Sequence, residues 1–481
     1  MKICFVTSEC APFVKTGGLA DVSGSLPEAL SDNGADVKVF MPLYDIIDVK
    51  KHDIIRSDFP LSSLEIGGRA CDFGLFERKV SKGARYYFID CPHYFGRGRV
   101  YTSDEDENER FIFFQHAVLR VLQHFKWSPD VFHCNDWQSS YIPAMLKLQY
   151  SWDSLFNKSK SLLSIHNIGY QGIFEPETVT KAGFGESCFV LGGPFEYNGN
   201  ANMLKTGIFY ADSISTVSPT YAREITTPEF GSGLEGVLKS REDSIKGILN
   251  GIDTEEWNPV KDRYLVKNYS AANPEGKAVN KVDLLKTAGL DGTSEVPLYG
   301  IVTRLAWQKG IELVLDFFEK NKNEDFRLVV LGSGEEKYET RLKELSSKNS
   351  NNIKVFLEYN NELAHKITAG SDFFLMPSRY EPCGLNQMYS LNYGTVPLVR
   401  KVGGLADTVT DISDEFRGNG FSFKEFTQED FAEAVFRSMK LFKDKEMMRK
   451  VLLRGMNMDF SWKKSSAEYV ALYESICADR K

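Results

Sequence analysis

Several short stretches combine glycine, a cation or a carboxylate in an order suited to a charged ligand. "KTGGLADV" runs from Lys15 to Val22 behind a strand-like run, "KICFVTSE". Paired glycines let backbone approach a ligand closely, and a helix start offers unpaired N–H groups and a positive dipole end. Lys15 is a mobile point charge beside Gly17 and Gly18, and Asp21 falls in the first helical turn. The plainer reading is a turn and a helix start. "VTRLAWQKG" (302–310) ends a second apolar run and puts Arg304 and Lys309 in one loop. Two cations there suit a diphosphate, Arg through its planar fork, unless they are solvated surface charges. "PSRYEPCGLNQ" (377–387) offers Glu381 at a loop apex, then Gly384, Leu385 and Asn386 opening a helix. A carboxylate there suits sugar hydroxyls or a developing positive charge; as plain structure it caps a turn. Cys383 is either a helix-start thiolate or a packing residue.

"HCNDWQ" (133–138) and "SIHNIGYQG" (164–172) each follow a strand, which sets Asp136 and His166 at the edge of a sheet. Trp137, Tyr170 and Tyr359 are aromatic faces for a sugar or base, or core residues. "DEDEN" (104–108) contains a DxD that a metal-dependent transferase would use. It lies in a polar run and reads better as a solvated loop. Gly-Gly-Leu-Ala-Asp recurs at 403–407 in "KVGGLADTV". Neither copy is a dinucleotide or Walker fingerprint, and "GSGEEK" (332–337) is not one either.

Elements must hold these residues in place. Short β-branched and aromatic runs alternate with helical segments, and the runs show little strict alternation. That pattern predicts parallel strands buried on both faces, in α/β doubly wound sheets. A polar stretch near 258–295 interrupts the pattern, which restarts at "PLYGIVTRL". The reading is two Rossmann-like domains, 1–258 and 259–460, with a helix over 461–481 packing back on the first. Trp462, Tyr469, Leu472 and Ile476 mark that helix's apolar face. Ligands in such sheets bind beyond the strand C-termini, so a site is expected in a cleft with a GGLAD copy on each lip.

At 481 residues the chain exceeds what one core usually serves. Hydrophobic residues at 42% and charged residues at 26% are ordinary for a globular protein, and the net charge of −8 argues against nucleic acid. The eight cysteines show no CxxC or zinc spacing, which favours free thiols. No apolar run is long enough for a membrane span, and no signal peptide is visible, so a cytoplasmic enzyme is expected.

The stretches above, with "VSPTYAREI", "GSGLEG", "LNGID", "YGTVPLVRKVGGLADTV" and the late "FSW", occur in one order from end to end of the chain. In this the chain resembles bacterial glycogen synthases and plant-type starch synthases, retaining glycosyltransferases of GT-B architecture. The resemblance implies transfer of glucose from a nucleotide-diphosphate glucose to the non-reducing 4-OH of an α-1,4-glucan, usually from ADP-glucose in bacterial members. UDP-glucose as donor, and an inactive glucan-binding homologue, are the alternatives. It further implies that Lys15, Gly18 and Asp21 reach the donor from the first domain. Arg304 and Lys309 would hold the diphosphate, Gly384, Leu385 and Asn386 would donate to phosphate or glucose, and Tyr359 would stack on the base. Glu381 would be the essential carboxylate, with His166 near the anomeric carbon and Asp136 toward the glucose or acceptor. No metal or other cofactor is expected. No convincing second carboxylate stands out for a covalent intermediate, so front-side attack is expected.

Overall fold

The computed structural model describes residues 1–78, 83–291 and 295–478. The chain divides into two units: Met1–Gly251 together with Trp462–Lys481, and Ile252–Ser461. The first boundary lies earlier than the 258/259 read from the sequence. Trp257 is the reason, because its ring stacks between His365 and Tyr389 at 3.8 and 3.9 Å, and its carbonyl accepts from Asn392 Nδ2 at 2.7 Å. All three partners belong to the second unit.

The first unit is built on a ten-stranded sheet. Strand Lys2–Val6 pairs in parallel with Asp36–Pro42 on one side and Val131–Asn135 on the other. Arg85–Asp90 continues past Asp36–Pro42. Lys160–Ile165, Ser213–Thr216 and Ile245–Gly247 continue past Val131–Asn135. Numbered by chain position, these seven parallel strands run 3-2-1-4-5-6-7.

Beyond Arg85–Asp90 the sheet turns antiparallel through Arg69–Arg78, which pairs with Ile54–Arg56 and Ser62–Ile66. The sequence reading missed these strands. Ser62–Ile66 alternates exposure residue by residue, as a half-covered strand does, and Gly67–Gly68 closes the hairpin with φ of 57° and 80°. A small antiparallel sheet of Ile173–Phe174, Glu196–Tyr197 and Asn200–Asn202 was also missed.

The second unit has six parallel strands. In spatial order they are Ile353–Phe356, Arg327–Leu331, Leu298–Val302, Phe373–Met376, Val396–Arg400 and Phe421–Phe423, which is 3-2-1-4-5-6. Its core packs Leu328, Val330, Leu375 and Leu398 of the sheet against Phe317, Phe318, Phe431 and Leu441 of the helices. Each such buried side chain contributes about 1.5–3 kcal/mol.

The last helix, Trp462–Ala478, belongs to the first unit. Its buried face is Trp462, Tyr469, Tyr473 and Ile476; Tyr473 takes the place expected for Leu472, because a 4-3-4-3 helical spacing lands there. Tyr473 OH meets His133 Nδ1 at 2.7 Å, Ser466 Oγ accepts from Asn33 Nδ2 at 2.9 Å, and Ser465 Oγ donates to Leu249 O at 2.6 Å. Asp479–Lys481, the end of the predicted segment, lie outside the described residues. Among the described residues no helix is long and apolar enough to cross a membrane.

Candidate active-site loops at two topological switch points

In an open α/β sheet, the loops leaving the strands at which the order reverses diverge and leave a crevice for ligand. Each unit has such a point between its first and fourth parallel strands. Most of the residues singled out in the sequence lie on or just after the loops beyond them; His166 follows the neighbouring strand Lys160–Ile165, and Tyr359 lies past an edge strand.

In the first unit, the loop after Lys2–Val6 buries Thr7, Ser8 and Glu9. Glu9 gathers the backbone ahead of the first GGLAD copy: its Oε2 accepts from Thr16 N at 2.5 Å, Thr16 Oγ1 at 2.6 Å and Gly17 N at 3.3 Å. Burial raises the Glu9 pKa, against the pull of the Thr16 hydrogen bonds. Those contacts shape the turn before the helix Gly18–Asp32, where Gly18 is exposed. Lys15 Nζ sits 2.6 Å from Asp21 Oδ1. The pair is near the surface, where such an ion pair is worth about 0–1 kcal/mol and is readily rearranged by a stronger anion.

Across the switch point, Asp136 follows Val131–Asn135 with φ 53° and ψ −170°. A non-glycine residue seldom adopts that conformation, at a cost of about 1–3 kcal/mol. The strained turn is fastened at both ends: Asp136 N donates to Ser164 O at 2.9 Å, and Asp136 Oδ1 accepts from His166 N at 2.7 Å. Burial pushes the Asp136 carboxyl up to about 7, opposed by the backbone N–H groups of His166 and Asn167. His166 is 9% exposed, its Nε2 lies 2.9 Å from Asn135 Oδ1, and burial pulls its pKa down to about 3. It is therefore neutral near pH 7. His133 is a core histidine, with Nδ1 against Tyr473 OH and Nε2 2.6 Å from Ser164 Oγ.

In the second unit, the loops after Leu298–Val302 and Phe373–Met376 face each other across the switch point. Lys309 Nζ holds both oxygens of Glu381, at 2.9 and 2.7 Å, and Ser378 Oγ donates to Glu381 Oε2 at 2.9 Å. Sequence reading assigned Lys309 to a diphosphate and Glu381 to a sugar; here they pair with each other. Glu381 is 5% exposed. The two loops are fastened together: Arg379 N donates to Gln308 O at 2.8 Å, and Gln308 Nε2 to Tyr380 O at 3.2 Å. The Arg379 guanidinium lies over the Trp307 ring at 4.6 Å and the Phe426 ring at 3.9 Å. Arg304, on the same loop as Lys309, is exposed.

The second GGLAD copy opens the helix Gly403–Thr408 and packs on the Glu381 loop. Gly404 N donates to Glu381 O at 3.2 Å and Pro382 O at 3.1 Å. A Cβ on Gly404 would lie 2.1 Å from Cys383 O, so only glycine fits this approach. Gly384 and Leu385 lead into the helix Asn386–Asn392. The Asn386 side chain is already used, its Nδ2 donating to Val302 O at 2.6 Å. Tyr359 is 83% exposed past the edge strand Ile353–Phe356, two strands from the switch point.

Asp104 and Glu105 are exposed in a loop, as expected, and the two DxD carboxylates pair with Arg97, Asp104 at 2.8 Å and Asp106 at 2.6 Å. Trp137 is packed against Phe111 and Phe174, while Tyr170 is 53% exposed. Cys383 is buried. Sequence reading missed Glu9, Asn135 and Ser378. Each lay inside a quoted motif, at a strand's end or just past it, where a polar residue in an apolar context was the available signal.

Two Rossmann-type units, each bearing charged groups at its switch point, together with the family matches that follow, place the chain among glycosyltransferases of the GT-B class. Residues 2–240 match the starch synthase catalytic domain, and residues 291–451 match glycosyl transferases group 1. The chain is 44% identical to a glycogen synthase of Geotalea uraniireducens over 98% of both chains, and 40% identical to one of Thermotoga maritima over 99% of both. It is similar to the catalytic domain of starch synthase IV from Arabidopsis thaliana, bound to ADP and acarbose, with a TM-score of 0.92, 31% identity and 99% of both chains covered. The chain belongs to the glycogen and starch synthase family. A sucrose-phosphate synthase from Thermosynechococcus elongatus shares the fold, with a TM-score of 0.63 at 17% identity.

Proposed function

We propose that the protein transfers glucose with retention from ADP-glucose to the non-reducing 4-OH of an α-1,4-glucan, in the cytoplasm. The observation that carries this reading is the pairing of Lys309, Glu381 and Ser378 beside the exposed Arg304, at a switch point of a chain in this family. Adenine as the base is supported by the likeness to a starch synthase bound to ADP. The cytoplasm is supported by eight free cysteines.

Breaking the anomeric C–O bond puts positive charge on the sugar and negative charge on the departing diphosphate. Arg304 and Lys309 meet the second charge, each worth about 3 kcal/mol by analogy with other preorganised donors. When the diphosphate draws on Lys309, Glu381 is left to face the sugar's developing positive charge. Gly384 and Leu385 offer backbone N–H groups to phosphate or glucose, and Lys15 and Gly18 serve the same donor from the first unit. Asp136 and His166 lie toward the glucose and the acceptor, and Tyr359 stacks on the base. The leaving phosphate takes the acceptor hydroxyl's proton on the face it departs from, which gives retention without a covalent intermediate. No metal or other cofactor enters this scheme.

The test is incorporation of radiolabelled glucose into glycogen, with ADP-glucose and UDP-glucose run side by side, before and after prolonged EDTA treatment. The reading predicts faster incorporation from ADP-glucose, unchanged by EDTA. A faster rate from UDP-glucose would overturn the base, an EDTA loss restored by magnesium would overturn the metal-free scheme, and no incorporation from either donor would overturn the reading.

A further inference from the structure

His166 has two ring nitrogens, and the protein engages one of them. Nε2 lies 2.9 Å from Asn135 Oδ1. The Asn135 amide is set by its other end, because Nδ2 donates to Val6 O at 3.0 Å and lies 3.5 Å from His133 O. A turned-over amide would point its oxygen at two carbonyl oxygens. An amide oxygen only accepts, so the hydrogen on this bond belongs to His166 Nε2. Nδ1 is then a bare lone pair, and it has no hydrogen-bond partner among the described residues. Asn135 is fully buried at the end of its strand, and its bond to Val6 O joins the two strands that flank the switch point.

We infer that Asn135 is a positioning residue that fixes His166 as the neutral Nε2–H tautomer and so presents Nδ1 to the ligand as a hydrogen-bond acceptor. The inference rests on the glucosyl-transfer reading, in which the ligand is a sugar rich in hydroxyl donors. An imidazolium in that place would offer a donor instead and would oppose positive charge growing on the sugar. The titratable groups around the ring leave the assignment intact. Asp136 takes the His166 backbone N–H rather than a ring nitrogen, Glu9 acts on Asp136 through space, and His133 has both ring nitrogens engaged. Burial also disfavours the charged ring.

The test starts with ¹⁵N-histidine NMR of the wild-type chain from about pH 5.5 to 9, with the His166 signals assigned by their loss in His166→Ala. One protonated and one bare nitrogen are expected, with no titration in this range. Asn135→Asp sets a carboxylate against Nε2 and favours the imidazolium, so the ring should begin to titrate. Its kcat should fall at least about tenfold from pH 9 to pH 6 relative to wild type, with the donor KM within about threefold and most activity recovered at the alkaline end. Asn135→Ala should lose activity at every pH. A wild-type Nδ1–H tautomer, or a wild-type ring that titrates in this range, would overturn the inference. Equal, pH-independent losses in the Asp and Ala variants would reduce Asn135 to packing and overturn it equally. The NMR readout needs no substrate, so it decides the tautomer even if glucose transfer fails and only the wider reading falls.

Discussion

At the first unit's switch point the loops carry the carboxylates of Glu9 and Asp136 and the cation Lys15, with the His166 imidazole coming in from the next strand; at the second unit's they carry three cations, Arg304, Lys309 and Arg379, and the carboxylate of Glu381. The strand order at the two points is the same. In each unit an asparagine amide donates to the last carbonyl of the central strand, Asn135 to Val6 O at 3.0 Å and Asn386 to Val302 O at 2.6 Å. The backbone device is common to both: the chain diverges where the order reverses, and a side-chain amide ties down the last carbonyl of the central strand. The chemistry differs. Burial governs the first group of residues, raising the carboxyls of Glu9 and Asp136 and lowering His166. Direct pairing governs the second, with Lys309 and Ser378 on Glu381.

The two GGLAD copies divide in the same way. The first opens a 15-residue helix, with Gly18 exposed and Gly17 N on Glu9. The second opens a six-residue helix whose buried glycines support the Glu381 loop from behind. Identical sequence thus serves an exposed turn in one unit and a backbone buttress in the other.

Substitution can break this contrast. Gly404→Ala drives a Cβ to within 2.1 Å of Cys383 O, whereas one on Gly17 would meet Glu9 Oε1 at 3.6 Å, an ordinary contact. Steady-state kinetics should show kcat reduced about 10²–10³-fold in Gly404→Ala, through a displaced Glu381, and within about threefold of wild type in Gly17→Ala. Equal losses would end the distinction between the copies.

Arg304→Ala should remove about 2–3 kcal/mol of transition-state stabilisation, seen in kcat/KM for the donor as a loss of roughly 10²-fold. Unchanged donor affinity and rate together would take Arg304 out of the site.

Asp136→Asn sharpens the first half of the comparison. Its folded pKa of about 7 lies above the usual carboxyl value, so the folded state holds the proton longer. The stability this gives is present below about pH 4 and is lost as pH rises to 7. The Asn variant should therefore match wild type near pH 4 and exceed it by a few kcal/mol near pH 8, measured by urea unfolding. A variant less stable than wild type at pH 8 would contradict the burial argument.

Much of this was legible from residues alone. Apolar runs without alternation marked the parallel strands, and the loops after them carried the chemistry. The antiparallel strands at 54–78 were hidden because their solvent side is polar, leaving little apolar signal. Trp257 was read into the first domain because the rings that stack on it, His365 and Tyr389, are over a hundred residues away in sequence. Lys309 and Glu381 were both identified, but their mutual pairing depends on which strands are neighbours at the switch point, and local pattern does not encode that. Asn135 and Ser378 act on another candidate rather than on ligand, so their strand-end positions mark them while only coordinates assign the role.

The central claim is that Glu381, held by Lys309 and Ser378, is the carboxylate on which glucose transfer depends. The direct measurement is glucose incorporation into glycogen from ADP-glucose by wild type and Glu381→Gln, with circular dichroism confirming that the variant folds. The account predicts a loss of at least about 10³-fold in kcat with an unchanged spectrum; turnover within about tenfold of wild type would contradict it.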